Sequence, residues 1–193
     1  MQQHALQPLT EIETFFKTDG HLVYGEAITQ LEHALQCAHL AEQAGASDAL
    51  IVAALFHDVG HMLHRDAAAA LAKGNDDKHE ILGAKFLSRW FAPDVTQPVA
   101  FHVSAKRYLC AREAQYENSL SVISQHTLRL QGGVMTAEQA DEFAATAYAM
   151  DGVSLRRWDD LAKVKNLSTP PWEHFMQIAR RCADLNKRPE KLN

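Results

Sequence analysis

The chain of 193 residues has a hydrophobic fraction of 47% and a formal net charge of −5. That length supports one sizeable core and argues against a second independent domain. The mild acidity, with Arg156-Arg157 and Arg180-Arg181 as isolated basic pairs, gives no stripe for nucleic acid, and no apolar run is long enough to span a bilayer.

The first predicted helix covers residues 10–17, with Phe15 and Phe16 facing inward and Asp19-Gly20 as its stop. Gly25 gives a turn before a helix over 32–44, where Leu31, Ala34, Leu35, Ala38 and Ala41 recur at helical spacing and Gly45 closes the end. Ser47 or Asp48 starts the next helix, an apolar run that leads directly into His57 and Asp58, and Gly60 ends or bends it. An alanine-rich stretch over 66–72 permits helix, and the polar run at 73–78 reads as a loop. Residues 79–90 are helical again, with Leu82, Phe86 and Leu87 on one face. Pro93 and Pro98 mark short segments around 95–103. A helix over 114–130 closes at Gly132-Gly133, and Thr136 with Gln139 forms a capping-box pattern ahead of a helix over 137–149. Residues 153–164 form a further candidate helix, and Pro170-Pro171 opens a last one through Phe175, Ile178 and Ala183. No period-two run of β-branched residues occurs, so the expected fold is an all-α bundle. It forms a single domain over 1–193, with a catalytic core at about 22–165 and a C-terminal packing helix at about 171–186.

The three cysteines, Cys37, Cys110 and Cys182, form no Cys-x-x-Cys pair and are odd in number. They fit a reducing cytoplasm and read as apolar fillers rather than nucleophiles. Residues 1–8 lack an apolar core after a basic run, so no secretion signal is expected.

Eleven histidines are the unusual number. His57-Asp58 follows an apolar helix, where an unpartnered acid would be costly to bury. Adjacent side chains on a helix point about 100° apart, so the pair can approach one metal from two directions, or the aspartate can reach a second. His33 lies on the preceding helix, His79 at the start of a later one, His102 beyond Pro98 and Asp159 on a late helix. Together they can converge on one buried di-metal site. Mixed histidine and carboxylate donors suit iron, which changes oxidation state where zinc does not.

His57-Asp58 with His33 and Asp159 resembles the ligand set of the HD-domain superfamily, and His79 with His102 resembles its two-metal members. The blocks 25–33, 53–61, 79–80, 102–109, 131–133 and 157–159 are similar to the mixed-valence di-iron oxygenases of organophosphonate breakdown. The resemblance implies two Fe ions per chain, Fe(II)/Fe(III) in the active state, with O2 as co-substrate. The first iron takes His33, His57, Asp58 and Asp159; the second takes Asp58, His79 and His102, so that Asp58 bridges. Ungapped matching from the His102 block favours Asp159 over Asp160 as the ligand, leaving Asp160 as a surface acid. The substrate implied is a small 1-hydroxyalkylphosphonate whose anion is met by Lys106, His61, Ser124, Thr127 and Arg156. Tyr24 and Glu26 are expected at its amine end, with negative charge added by Asn75-Asp76-Asp77. Whole-sequence resemblance favours (R)-1-hydroxy-2-(trimethylamino)ethylphosphonate, cleaved to glycine betaine and phosphate. The alternatives are 2-amino-1-hydroxyethylphosphonate, giving glycine, and phosphate-ester hydrolysis by a metal-bound water.

Overall fold

The computed structural model describes residues 9–23, 28–63 and 78–183. Tyr24, Glu26, the alanine-rich stretch at 66–72 and Asn75-Asp76-Asp77 lie outside the described residues. The described part is an all-α bundle, whose helices in chain order are α1 (Thr10–Thr18), α2 (Gln30–Gln43), α3 (Asp48–Phe56), α4 (Val59–Leu63), α5 (His79–Leu87), α6 (Pro93–Arg112), α7 (Tyr116–Ser119), α8 (Val122–Leu130), α9 (Ala137–Ala144), α10 (Ala149–Leu161) and α11 (Trp172–Cys182). Among the described residues, extended pairing is limited to an isolated bridge between Val23 and Thr29. Among the described residues no helix is long and apolar enough to cross a membrane.

Local chemistry sets most of the boundaries. Thr29 caps α2 in a reciprocal box with Glu32, and Ser47 caps α3 by accepting from the Leu50 amide. Thr136 and Gln139 form the predicted box at α9. That helix stops at Ala144, however, because Tyr148 takes a left-handed conformation before α10 begins. The expected helix over 114–130 is two: Leu120 and Ser121 are extended, and the Ser121 hydroxyl caps α8 at the Ser124 amide.

The short segments expected around Pro93 and Pro98 are instead one 20-residue helix, α6. Pro93 sits at its start, where a missing N–H costs nothing. Pro98 lies only about a turn further in, and the helix continues because its buried stripe outweighs the lost bond. Val95, Val99, His102, Lys106 and Leu109, at alternating spacings of four and three, are all buried. This stripe is apolar at both ends and polar in its middle.

α3 is buried on every side and forms the centre of the larger core. Phe16 of α1, Phe56 of α3 and Trp172 of α11 pack ring against ring there, which holds the C-terminal helix on the bundle. Leu82, expected inward, is 37% exposed, whereas Phe86 and Leu87 carry the buried face of α5. A smaller core joins Ala105 and Leu109 of α6 to Leu128, Phe143, Ala149 and Val153. α6 therefore spans both cores, and its polar middle lies between them.

Gly60 is less a helix terminator than a packing residue. A Cβ at Gly60 would lie 1.9 Å from the His79 carbonyl oxygen, and one at Gly83 would lie 3.2 Å from the Gly60 nitrogen. The two glycines let α4 and α5 cross almost backbone to backbone. Gly60→Ala must push α5 away, and overpacking of this kind costs about 3 kcal/mol. We expect a clear drop in Tm together with loss of bound metal, read by thermal unfolding and metal analysis. A variant with unchanged Tm and metal content would show that the crossing tolerates a methyl group.

Candidate metal centre

Five elements bring the predicted donors together. α2 supplies His33, the α3–α4 turn supplies His57 and Asp58, and α5 supplies His79 as its first residue. α6 supplies His102 and α10 supplies Asp159. His33, His57, His79, His102 and Asp159 are all at most 8% exposed.

Backbone carbonyls fix three of the rings. Nδ1–H of His33 donates to Ala162 O at 2.8 Å, that of His57 to Ala54 O at 2.9 Å, and that of His102 to Val99 O at 2.7 Å. A carbonyl only accepts, so the proton sits on Nδ1 and the Nε2 lone pair is turned inward. Gln36 supports this arrangement: its side chain bonds both the carbonyl and the amide of Val164, clamping the segment that presents Ala162 O.

The inward lone pairs meet face to face. His33 Nε2 lies 3.3 Å from His57 Nε2, and His79 Nε2 lies 3.1 Å from His102 Nε2. The facing lone pairs of His33 and His57 repel unless a positive charge sits with them. The Asp58 carboxylate stands between the pairs. Its Oδ2 is 3.6 Å from His33 Nε2, while its Oδ1 is 3.5 Å from His57, 3.7 Å from His79 and 3.8 Å from His102. Asp159 Oδ1 is 3.3 Å from His33 Nε2. Donors bound to one ion at about 2.0–2.1 Å lie about 3.0–3.4 Å apart at its neighbouring positions. The two histidine pairs and Asp159 fall within that range and Asp58 lies slightly beyond it, so the cluster has the donors and the spacing to hold metal.

Burial, with His79 and His57 close by, holds His102 well below its usual pKa, and burial likewise lowers His57. Burial opposes charge on Asp58 and Asp159, yet the surrounding histidines, and Arg156 in the case of Asp159, keep both ionised. His57 and His102 are thus held as neutral imidazoles beside anionic carboxylates, the protonation states a metal requires, whereas His33, although burial opposes its charge, is pushed well above its usual pKa by Cys37 and Asp159.

His61 stacks on His79 with ring centroids 3.8 Å apart, and its Nε2 is 3.8 Å from Asp58 Oδ1. One turn beyond His102, the buried Lys106 donates to Thr127 Oγ1 at 2.8 Å and reaches the Ser124 carbonyl at 3.5 Å. Burial and the neighbouring Arg156 push its pKa down to about 7. Arg156 forms an ion pair with Asp159 Oδ2 at 2.6 Å and donates to Ser124 Oγ at 3.3 Å. Lys106, Ser124, Thr127 and Arg156 thus form one group beside the donor cluster.

Asp160 is not the surface acid expected from the sequence. It is the ion-pair partner of the buried Arg156 and accepts a hydrogen bond from Tyr116. Spacing held a signal for this, since Asp160 falls four residues after Arg156, where helix side chains meet; for Tyr116 the sequence offered none. Cys37 was read as an apolar filler, and it is fully buried, but its sulfur also lies 3.7 Å from His33 Nε2. Cys110 and Cys182 are only partly buried.

The HD domain family matches residues 31–154. The chain belongs to the HD-domain family. It is 42% identical over 179 residues to the hydroxymethylphosphonate dioxygenase of Gimesia maris, covering 91% of this chain and 88% of that protein. It is 39% identical over 160 residues to the [1-hydroxy-2-(trimethylamino)ethyl]phosphonate dioxygenase (glycine-betaine-forming) of Leisingera caerulea, covering 83% and 82%. Protein L432 of Acanthamoeba polyphaga mimivirus is 30% identical over 180 residues, covering 92% of this chain and 82% of that protein. Within the HD-domain family the chain groups with the phosphonate oxygenases.

Proposed function

We propose that this chain is a di-iron oxygenase that cleaves the carbon–phosphorus bond of a 1-hydroxyalkylphosphonate with O2. The observation that carries this reading is the juxtaposition of two facing histidine pairs around Asp58 with a buried lysine that donates to neutral oxygens. A buried ammonium without a close counter-anion is a site for an incoming anion.

His33, His57, Asp58 and Asp159 would hold one iron, and Asp58, His79 and His102 the other, with fewer protein ligands and so more room for substrate. Bound in the Fe(II)/Fe(III) state, the pair would activate O2 and polarise the hydroxyl and phosphonate oxygens. The protein's own groups do the rest. Lys106 and Thr127 receive the phosphonate, with the Ser124 hydroxyl backed by Arg156. They fix the C1–P bond next to the metals and offset the charge that grows on the departing phosphorus group. His61, stacked on His79, is placed to hold a proton from the substrate hydroxyl. In the net reaction, R–CH(OH)–PO3(2−) and O2 give R–COO(−) and H2PO4(−). The C1–P bond breaks, C1 is oxidised, and the substrate supplies every electron that O2 accepts.

The proposed substrate is (R)-1-hydroxy-2-(trimethylamino)ethylphosphonate. Tyr24 and Glu26 precede the first ligand helix in sequence, and an aromatic face with an acid suits a trimethylammonium. Hydroxymethylphosphonate is the second reading, favoured by the higher identity and coverage of the Gimesia relative. A product assay on the two compounds and on 2-amino-1-hydroxyethylphosphonate separates them. We expect glycine betaine and phosphate from the trimethylated compound at the highest kcat/KM. Formate and phosphate at a higher kcat/KM would move the assignment to hydroxymethylphosphonate, and preference for the primary amine would overturn both.

A further inference from the structure

We infer that Asp160 and Tyr116 are positioning residues for the first metal position, acting through Arg156. This rests on the metal reading above.

Arg156 is 4% exposed, and its donors are taken up. Nε faces Tyr116 Oη at 3.2 Å and Asp160 Oδ2 at 3.3 Å. Nη1 faces Asp159 Oδ2 at 2.6 Å, and Nη2 faces Ser124 Oγ at 3.3 Å and the second Asp160 oxygen. Asp159 and Asp160 lie three and four residues after Arg156, so one guanidinium bridges two carboxylates on one helix face.

The two oxygens of Asp159 are thereby given different tasks. Oδ2 belongs to Arg156, and Oδ1 lies 3.3 Å from His33 Nε2, at the donor cluster. How hard Arg156 pulls on Asp159 depends on what else neutralises it. Asp160 takes a share of that positive charge. Tyr116 fixes Asp160 by donating its hydroxyl to the carboxylate while accepting from Arg156 Nε. If Asp160 loses its charge, the buried guanidinium falls more fully on Asp159 and competes with the metal for it. Asp58, His79 and His102 remain for the second position, which Arg156 does not touch.

The test is a Co(II) titration of the full chain, followed by visible absorbance and calorimetry, for the wild type, Asp160→Asn and Tyr116→Phe. The wild type should take up two ions. Outer partners of ligands usually contribute tenfold to a hundredfold in affinity, so Asp160→Asn should weaken one ion by at least about tenfold and leave the other within about twofold. Tyr116→Phe, which keeps the ring and its packing, should weaken the same ion by a smaller factor. The inference is overturned if both ions keep their wild-type affinities in both variants. It is equally overturned if both ions weaken together in step with Tm, as a purely structural lock would require. Failure of the metal reading itself is visible separately, as a wild-type chain that takes up fewer than two ions.

Discussion

Replacing His79 by alanine should leave one metal ion per chain and lower turnover by at least about a thousandfold. His79 opens α5 and aims Nε2 at His102 Nε2, 3.1 Å away, with Asp58 Oδ1 at 3.7 Å. Without it the second position keeps only His102 and the shared carboxylate, too few donors to hold a divalent ion against water. The first position keeps His33, His57, Asp58 and Asp159. The fold should survive, because the imidazole contributes less apolar burial than its neighbours Phe86 and Leu87. Metal analysis and turnover of the purified variant check this. Two ions and full activity would remove His79 from the site.

Lys106→Met should raise KM for the phosphonate by about a hundredfold, close to 2.7 kcal/mol in binding, with a smaller fall in kcat. Methionine fills most of the same space and leaves no unpaired charge in the stripe of α6. The wild type should show a matching pH dependence. Burial and Arg156 place the Lys106 pKa at about 7, so the ammonium is present below that pH and is lost as pH rises through it. kcat/KM, which reports the free enzyme, should therefore fall above about pH 7, and bound phosphonate should shift this limb upward in kcat. In Lys106→Met the lysine-dependent limb should disappear. A variant whose KM and kcat/KM profile match the wild type would show that the anion binds elsewhere.

Most of the helices, and the convergence of His33, His57, Asp58, His79, His102 and Asp159, were legible in the sequence, for identifiable reasons. Apolar runs at helical spacing, and cap residues such as Ser47 and Thr136, are local signals, and the helices α3 and α9 begin where they indicate. What failed depended on tertiary balance. Pro98 breaks one bond of a helix whose buried stripe continues past it, so α6 is longer than proline alone suggests. Leu82 obeys the period of α5 yet is 37% exposed. Gly60 reads locally as a helix stop, and only the approach of His79 reveals it as a crossing point. In the site, the histidines announce themselves by chemistry, whereas the carbonyls that orient them, at Ala54, Val99 and Ala162, carry no side-chain signal. Asp159 and Asp160 are neighbours in sequence that tertiary structure treats differently: Asp159 Oδ1 lies 3.3 Å from His33 Nε2, whereas both Asp160 oxygens face Arg156.

The most direct measurement is the ratio of O2 consumed to phosphate released by the iron-loaded chain, with an anaerobic control. One O2 per phosphate, no phosphate without O2, and two irons per chain are the results expected of this site. Phosphate released at an undiminished rate under argon would mean that the cluster activates water rather than oxygen, and the oxygenase assignment would fall.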